Sequence, residues 1–134
     1  MKELTPQEIV KTEVERTMPG VEWQKIYVAL LTLVKNPKHR IFRANNSLFI
    51  ITNKGDHTAD VAMCNADTPQ DMPKSIKDFL KSMKVCGFTE VEFATDRPAM
   101  LRMVSRAGYT PQSFPIPNRK TTTGRQLVRT KVVL

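Results

Sequence analysis

The chain has 134 residues and a mass of 15.3 kDa, the size of one domain with a single core. Its 40% apolar and 25% charged residues exclude wholesale disorder, collagen-like repeats and a scaffold built on disulfides. The net charge of +8 is held unevenly: residues 1–96 carry 13 Lys/Arg against 13 Asp/Glu, whereas residues 97–134 carry Arg97, Arg102, Arg106, Arg119, Lys120, Arg125, Arg129 and Lys131 with no acid. Such an end attracts phosphates, nucleic acid or acidic protein surfaces.

The longest apolar run, residues 26–34, is well short of the roughly 20 residues that span a bilayer. The first residues, Met1-Lys2-Glu3-Leu4-Thr5-Pro6, lack the apolar stretch of a signal peptide. The expectation is a cytoplasmic, non-secreted protein with no membrane segment. Cys64 and Cys86 are expected to be reduced and buried.

In chain order, Thr5-Pro6-Gln7-Glu8 is a capping box with proline at the first helical position. The helix it opens shows Ile9, Val10, Val14 and Met18 on its apolar side and stops at Pro19-Gly20. A second helix is expected over residues 21–35, where Trp23, Ile26, Tyr27, Leu30, Leu31 and Val34 repeat at three and four. Three short strands follow, over residues 40–43, 47–53 and 58–64, separated by Asn45-Asn46 and Asn53-Lys54-Gly55-Asp56, as in an antiparallel meander. A third helix is expected from near Asp71 to Cys86. Met72, Ile76, Phe79, Leu80 and Met83 share one face, Lys74, Lys77, Lys81 and Lys84 the other, and Gly87 ends it. Residues 89–95 alternate as a half-buried strand. Asp96 is expected to cap a fourth helix running to Ala107, with Met100, Leu101 and Val104 inward, before Gly108. Two last strands, residues 109–116 and 126–134, flank the basic loop of residues 117–124.

The resulting order, α α β β β α β α β β, predicts an α+β domain over residues 1–134, with residues 1–37 helical and residues 38–134 holding the sheet and two helices. Ligands for a metal are not evident: His39, His57 and Cys64 lie on different segments without a recognised spacing. Neither cysteine has a histidine or a nucleophile motif beside it, so both read as core. Methionines 72, 83, 100 and 103 follow helical spacing and read as core filler.

The element order and the run Thr89-Glu-Val-Glu-Phe-Ala-Thr-Asp-Arg-Pro-Ala-Met-Leu-Arg-Met-Val-Ser-Arg-Ala-Gly-Tyr109 resemble the GNAT family of N-acetyltransferases. The resemblance covers about residues 40–134. Asp96, Pro98 and Ala99 match a common Asp-Asn-Pro-Ala, Gly108-Tyr109 matches the family's Gly-Phe or Gly-Tyr, and Lys84-Val85-Cys86-Gly87-Phe88 matches the end of the preceding helix. It implies a mixed, mostly antiparallel sheet of about six strands with helices on both faces. The family usually begins with a strand before its first helix, for which residues 1–4 are too short. An open sheet edge, and self-association through it, are therefore expected.

The resemblance also implies an acetyl-CoA site, and places Cys64, Asn65, Asp67 and Arg97 against that cofactor. Three departures bear on it. The family's glycine-rich diphosphate loop is here Cys64-Asn65-Ala66-Asp67-Thr68-Pro69-Gln70-Asp71-Met72-Pro73, with no glycine, two prolines and the acids Asp67 and Asp71. Arg97 stands where the family has an asparagine facing the pantetheine arm. Val104 stands where many members have the tyrosine that protonates the leaving thiolate. Glu90 or Glu92 could act as base through water, as strand glutamates do in such enzymes, or could line a solvated outer face.

The first expectation from this pattern is a non-catalytic GNAT-fold protein without cofactor or assigned catalytic residues. It would be an accessory, internal virion or host-interaction protein of the kind encoded by small tailed phages, acting in the host cytoplasm or the virion by binding a partner. The alternatives are an active acetyl-CoA-dependent N-acetyltransferase with a divergent loop, and a nucleic-acid binder acting through Arg119, Lys120, Arg125 and Arg129.

Overall fold

In the computed structural model, residues 3–120 and 126–134 are described, the side chains of residues 117–120 excepted. The first helix, α1 (Pro6–Thr17), opens on the expected capping box. The Glu8 N–H donates to Thr5 Oγ1 at 3.2 Å and the Thr5 N–H donates to Glu8 Oε1 at 2.9 Å. Helix α2 (Trp23–Leu33) follows, then strands β1 (His39–Ala44), β2 (Ser47–Gly55) and β3 (Thr58–Asn65), helix α3 (Met72–Val85), strand β4 (Glu90–Thr95), helix α4 (Pro98–Arg106), and strands β5 (Gln112–Lys120) and β6 (Gln126–Val133).

The six strands form one sheet in the order β1-β2-β3-β4-β6-β5. Only β3 and β4 run parallel, and they pair at just three positions, Thr58 with Glu90, Ala59 with Val91 and Asp60 with Glu92. Past that point both strands continue without a partner across the gap. The helices divide between the two faces because strand side chains alternate. Phe49, Ile51, Ala59 and Val91 point to α3 and α4, forming the larger core with Ile76, Phe79, Leu80, Met83 and Val104. Phe79 stacks on Phe49 with ring centroids 4.1 Å apart. Leu48, Ile50 and Cys64 point the other way, to Ile9, Val10 and Val14 of α1 and the inner side of α2.

Helix ends follow local chemistry. After α3 and after α4, the Phe88 N–H bonds the Met83 carbonyl and the Tyr109 N–H bonds the Val104 carbonyl, at 3.1 and 3.3 Å. This closure needs a left-handed residue between, supplied by Gly87 (φ +97) and Gly108 (φ +99). Pro73 sits in the first turn of α3, where its missing N–H is an orphan in any helix.

Four expectations are corrected. Asp96 does not cap α4: Arg97 is the cap residue and, with no acceptor on its side chain, makes no capping bond, while Thr95 Oγ1 takes the Arg97 N–H at 3.1 Å. Cys86 is exposed, since the turn after α3 carries it away from the core. Leu31 and Met18 are also exposed, as the inner stripe of α2 is Trp23, Ile26, Tyr27 and Leu30. Residues 117–120 extend β5 and do not begin a loop. Before α1 there is no strand among the described residues, and β1 ends the sheet. Among the described residues, no helix is long and apolar enough to cross a membrane.

Candidate functional site

The parting of β3 from β4 sets the site. Residues of β3 after Asp60 and of β4 after Glu92 leave backbone N–H and C=O groups facing the gap, since their other edges pair with β2 and β6. A cavity of about 110 Å³ lies there. Its floor is core, including Phe79, Val91 and Val132, and its mouth is Ala62, Met63, Phe93, Ala94, Thr95, Arg97 and Met100. Val104 lines it too, offering no proton at that place.

Two ionic clusters flank the gap. At its vertex Glu92, 5% exposed, pairs with Lys54, with Arg129 at 2.7 Å and with Lys131 at 3.5 Å, and Arg129 reaches Asp60 at 3.2 Å. The outer face expected for Glu92 is therefore covered by the cations themselves, while Glu90 is half-buried and 3.7 Å from Lys131. The Lys54 hydrogen bond, followed by Arg129, outweighs burial and holds the Glu92 carboxyl at about 2. Arg129 is raised in turn, chiefly by its bond to Glu92. At the open end the buried Glu13 of α1 pairs with Arg16 and, at 3.3 Å, with Arg97. It also accepts the Asn65 N–H at 3.4 Å. Glu13 thereby joins the end of β3 to the start of α4.

Asp67 is buried and accepts the Asn46 N–H at 3.0 Å, the Ser47 hydroxyl at 2.6 Å and the Ser75 hydroxyl at 2.7 Å. Asn65 Oδ1 accepts the Asp67 N–H at 2.7 Å. Burial, with Glu13 adding, pushes the Cys64 thiol up to about 11, which makes it a core group and not a nucleophile. Of the residues placed against a cofactor, then, Arg97 lines the cavity, whereas Cys64, Asn65 and Asp67 are engaged beside it.

The fit to acetyl-CoA differs between its two ends. A diphosphate needs free amides at the start of α3. Here the Met72 N–H goes to the Thr68 carbonyl at 3.0 Å, the Lys74 and Ser75 N–H groups go to the Asp71 carbonyl at 3.1 and 3.3 Å, and Pro73 has none. The diphosphate grip does not fit. The thioester arm does: unpaired strand edges accept an extended amide chain as an added strand, above an apolar cavity.

Among residues expected to bind polyanions, Arg129 is spent on Asp60 and Glu92. Arg125 and the side chains of Arg119 and Lys120 lie outside the described residues. His39 bonds Thr52 at 2.8 Å, and the described residues contain no group of side chains able to hold a metal ion. The Glu13 cluster and the strand gap were missed in sequence. An acid on the apolar side of α1, one position before Val14, was the available signal.

No protein-family model matches the chain, and no curated protein matches it by sequence. Its structure is similar to solved ones. Spermidine N-acetyltransferase from Vibrio cholerae, in complex with CoA and spermine, aligns with TM-score 0.67 at 10% identity, over 98% of this chain and 93% of that one. The ribosomal-protein-S5-alanine acetyltransferase from Vibrio fischeri aligns with TM-score 0.62 at 10% identity, over 98% and 91%. An acetyltransferase from Bacillus subtilis in complex with CoA aligns with TM-score 0.60 at 14% identity, over 99% and 95%. These likenesses lend no support to the expected phage or virion relationship. They do extend along nearly the whole chain, α1 and α2 included, and with the six-stranded open sheet they show that it has the GNAT fold.

Proposed function

We propose that the protein is an N-acetyltransferase that takes acetyl-CoA by its thioester arm into the gap between β3 and β4. The observation that carries this reading is the loss of strand pairing after Asp60 and Glu92 above an apolar cavity. When bound, acetyl-CoA supplies the activated carbonyl. The free N–H and C=O groups of β3 from Val61 and of β4 from Phe93 would hold the amides of the arm, and Met63, Phe93 and Met100 would keep water from it. Arg97 stands at the mouth, tied to Glu13.

An amine must lose a proton to attack, and Glu92, held at about 2, is too weak a base to take it. That proton goes to water and the departing thiolate takes one from water, so turnover rises with pH toward the pKa of the acceptor amine. The acids at the vertex are balanced by Lys54, Arg129 and Lys131. This argues against a polyamine acceptor such as the Vibrio cholerae enzyme takes.

A second reading, a cofactor-free binding protein, is favoured by the spent amides at the start of α3 and by Val104. Calorimetry with acetyl-CoA and with acetyl-pantetheine, followed by a thiol-release assay with a panel of amines, separates the two. The transferase reading expects heat from both donors at similar affinity, because the diphosphate adds little, and release of thiol. Heat without thiol release sinks the transferase, and no heat from either donor leaves the binding protein. Self-association along the open β1 edge belongs to either reading, and sedimentation at high protein concentration measures it.

A further inference from the structure

The cations of the chain divide into paired and unpaired sets that do not follow the sequence halves. Among the described residues Arg97, Arg129 and Lys131 of the acid-free end are paired with Glu13, Asp60, Glu90 and Glu92. Lys74, Lys77, Lys81 and Lys84 of α3 and Arg102 and Arg106 of α4 are instead exposed and take part in no ion pair among those residues. The two helices contact each other on one side of the sheet. Asp78 is the acid exposed among these cations.

We propose that this outer face of α3 and α4 binds the phosphate backbone of a nucleic-acid duplex, independently of sequence. The steps of three, four and three residues from Lys74 to Lys84 keep those side chains on one stripe, about 15 Å long at 1.5 Å per residue. Duplex DNA presents roughly one phosphate charge per 1.7 Å of axis, so that stripe lies along about nine charges. Flexible ammonium groups act as point charges and need no fixed geometry to meet phosphates. The chemistry of the face disfavours other polyanions. A protein interface is anchored by buried aromatic or apolar side chains, and a membrane surface by an apolar wedge beside the bases. Here the exposed large apolar residue of the two helices is Val85, 88% exposed, at the end of α3. Asn and Gln, which read adenine edges, are absent from the exposed face of both helices, and its lysines meet phosphates as point charges.

The test is fluorescence anisotropy of the full chain with a labelled duplex of about 20 base pairs, from about 25 to about 200 mM salt. Binding that weakens steeply with salt is expected. The variant Lys77→Gln/Lys81→Gln/Lys84→Gln/Arg102→Gln should bind at least tenfold more weakly at the low-salt end, with a log–log slope shallower by roughly 0.9 for each phosphate left without its cation. The charge-matched variant Lys11→Gln/Lys25→Gln/Lys35→Gln/Lys38→Gln, on the α1 and α2 side, should keep the wild-type slope. All these residues are exposed, so both variants should keep the wild-type melting temperature. Absence of binding at about 25 mM salt overturns the proposal, as does an equal loss in the two variants, which would report net charge alone. Replacement of Arg119, Lys120 and Arg125 by Gln abolishing a signal that the helix variant leaves intact would move the site to the β5–β6 end. Labelled polyglutamate bound as tightly through the same residues would assign the face to an acidic protein.

Discussion

The two sides of the sheet solve the same burial problem with opposite surfaces. On the α3 and α4 side a large apolar core, built around Phe79 stacked on Phe49, lies under a surface of unpaired cations. On the α1 and α2 side the core is smaller, α2 has no fully buried residue, and its outer surface shows Val28 and Leu31. There several charges are paired, Lys11 with Glu15, Lys25 with Glu22, and Arg16 and Arg97 with Glu13, while Lys35 and Lys38 are exposed. One side is thus anchored by packing under a stripe of unpaired cations, while the other is more loosely packed and holds the Glu13 cluster. The candidate cleft opens between them, with its floor on the first side and the Glu13 and Glu92 clusters on the second.

The largest effect should come from breaking the packed side. Phe79→Ala should cost about 3–5 kcal/mol in chemical denaturation, against less than about 0.5 kcal/mol for Val28→Ala, whose side is 60% exposed at that residue. A similar cost for both would mean that the two sides are not unequal. Next comes Asp67, which holds three donors at the base of α3. Asp67→Gly removes the carboxylate that accepts from the Asn46 N–H and from the Ser47 and Ser75 hydroxyls, at a cost of about 3 kcal/mol, with Ser47 keeping its bond to Asn65 Oδ1. It also leaves room for an outside anion, so inorganic phosphate should raise the melting temperature of this variant and not of the wild type. No rescue by phosphate would mean that the loop collapses and is not a preformed anion cradle.

The smallest of the three sharpens the electrostatic side. The folded carboxyl of Glu92 lies at about 2 against an ordinary 4.5. The stability it contributes is therefore complete above about pH 4.5 and is lost as pH falls from there to about 2. With Lys54 and Arg129 partly exposed, the loss should be about 2 kcal/mol. Glu92→Gln should remove that amount at neutral pH and flatten the acid limb of the stability curve. An unchanged acid limb would place the acid sensitivity elsewhere.

Much of the architecture was legible because its signals are local. The Thr5–Glu8 box, the three-and-four spacing of Ile76, Phe79, Leu80 and Met83, and the glycines after α3 and α4 act within a turn or two of chain. They set the ten elements and their order.

What failed at sequence level depends on residues far apart in the chain. Glu92 reads as a solvated strand residue until Lys54, 38 positions before it, and Arg129, 37 positions after it, close over it. Glu13 reads as an ordinary helix acid until Asn65 and Arg97, 52 and 84 positions away, come to it. Sequence determined which residues carry charge and on which face of their helix or strand they stand. Only the tertiary structure decided which charges meet a counter-charge, because Coulomb attraction between exposed groups acts over about a Debye length in space, ~8–10 Å, and takes no account of separation along the chain.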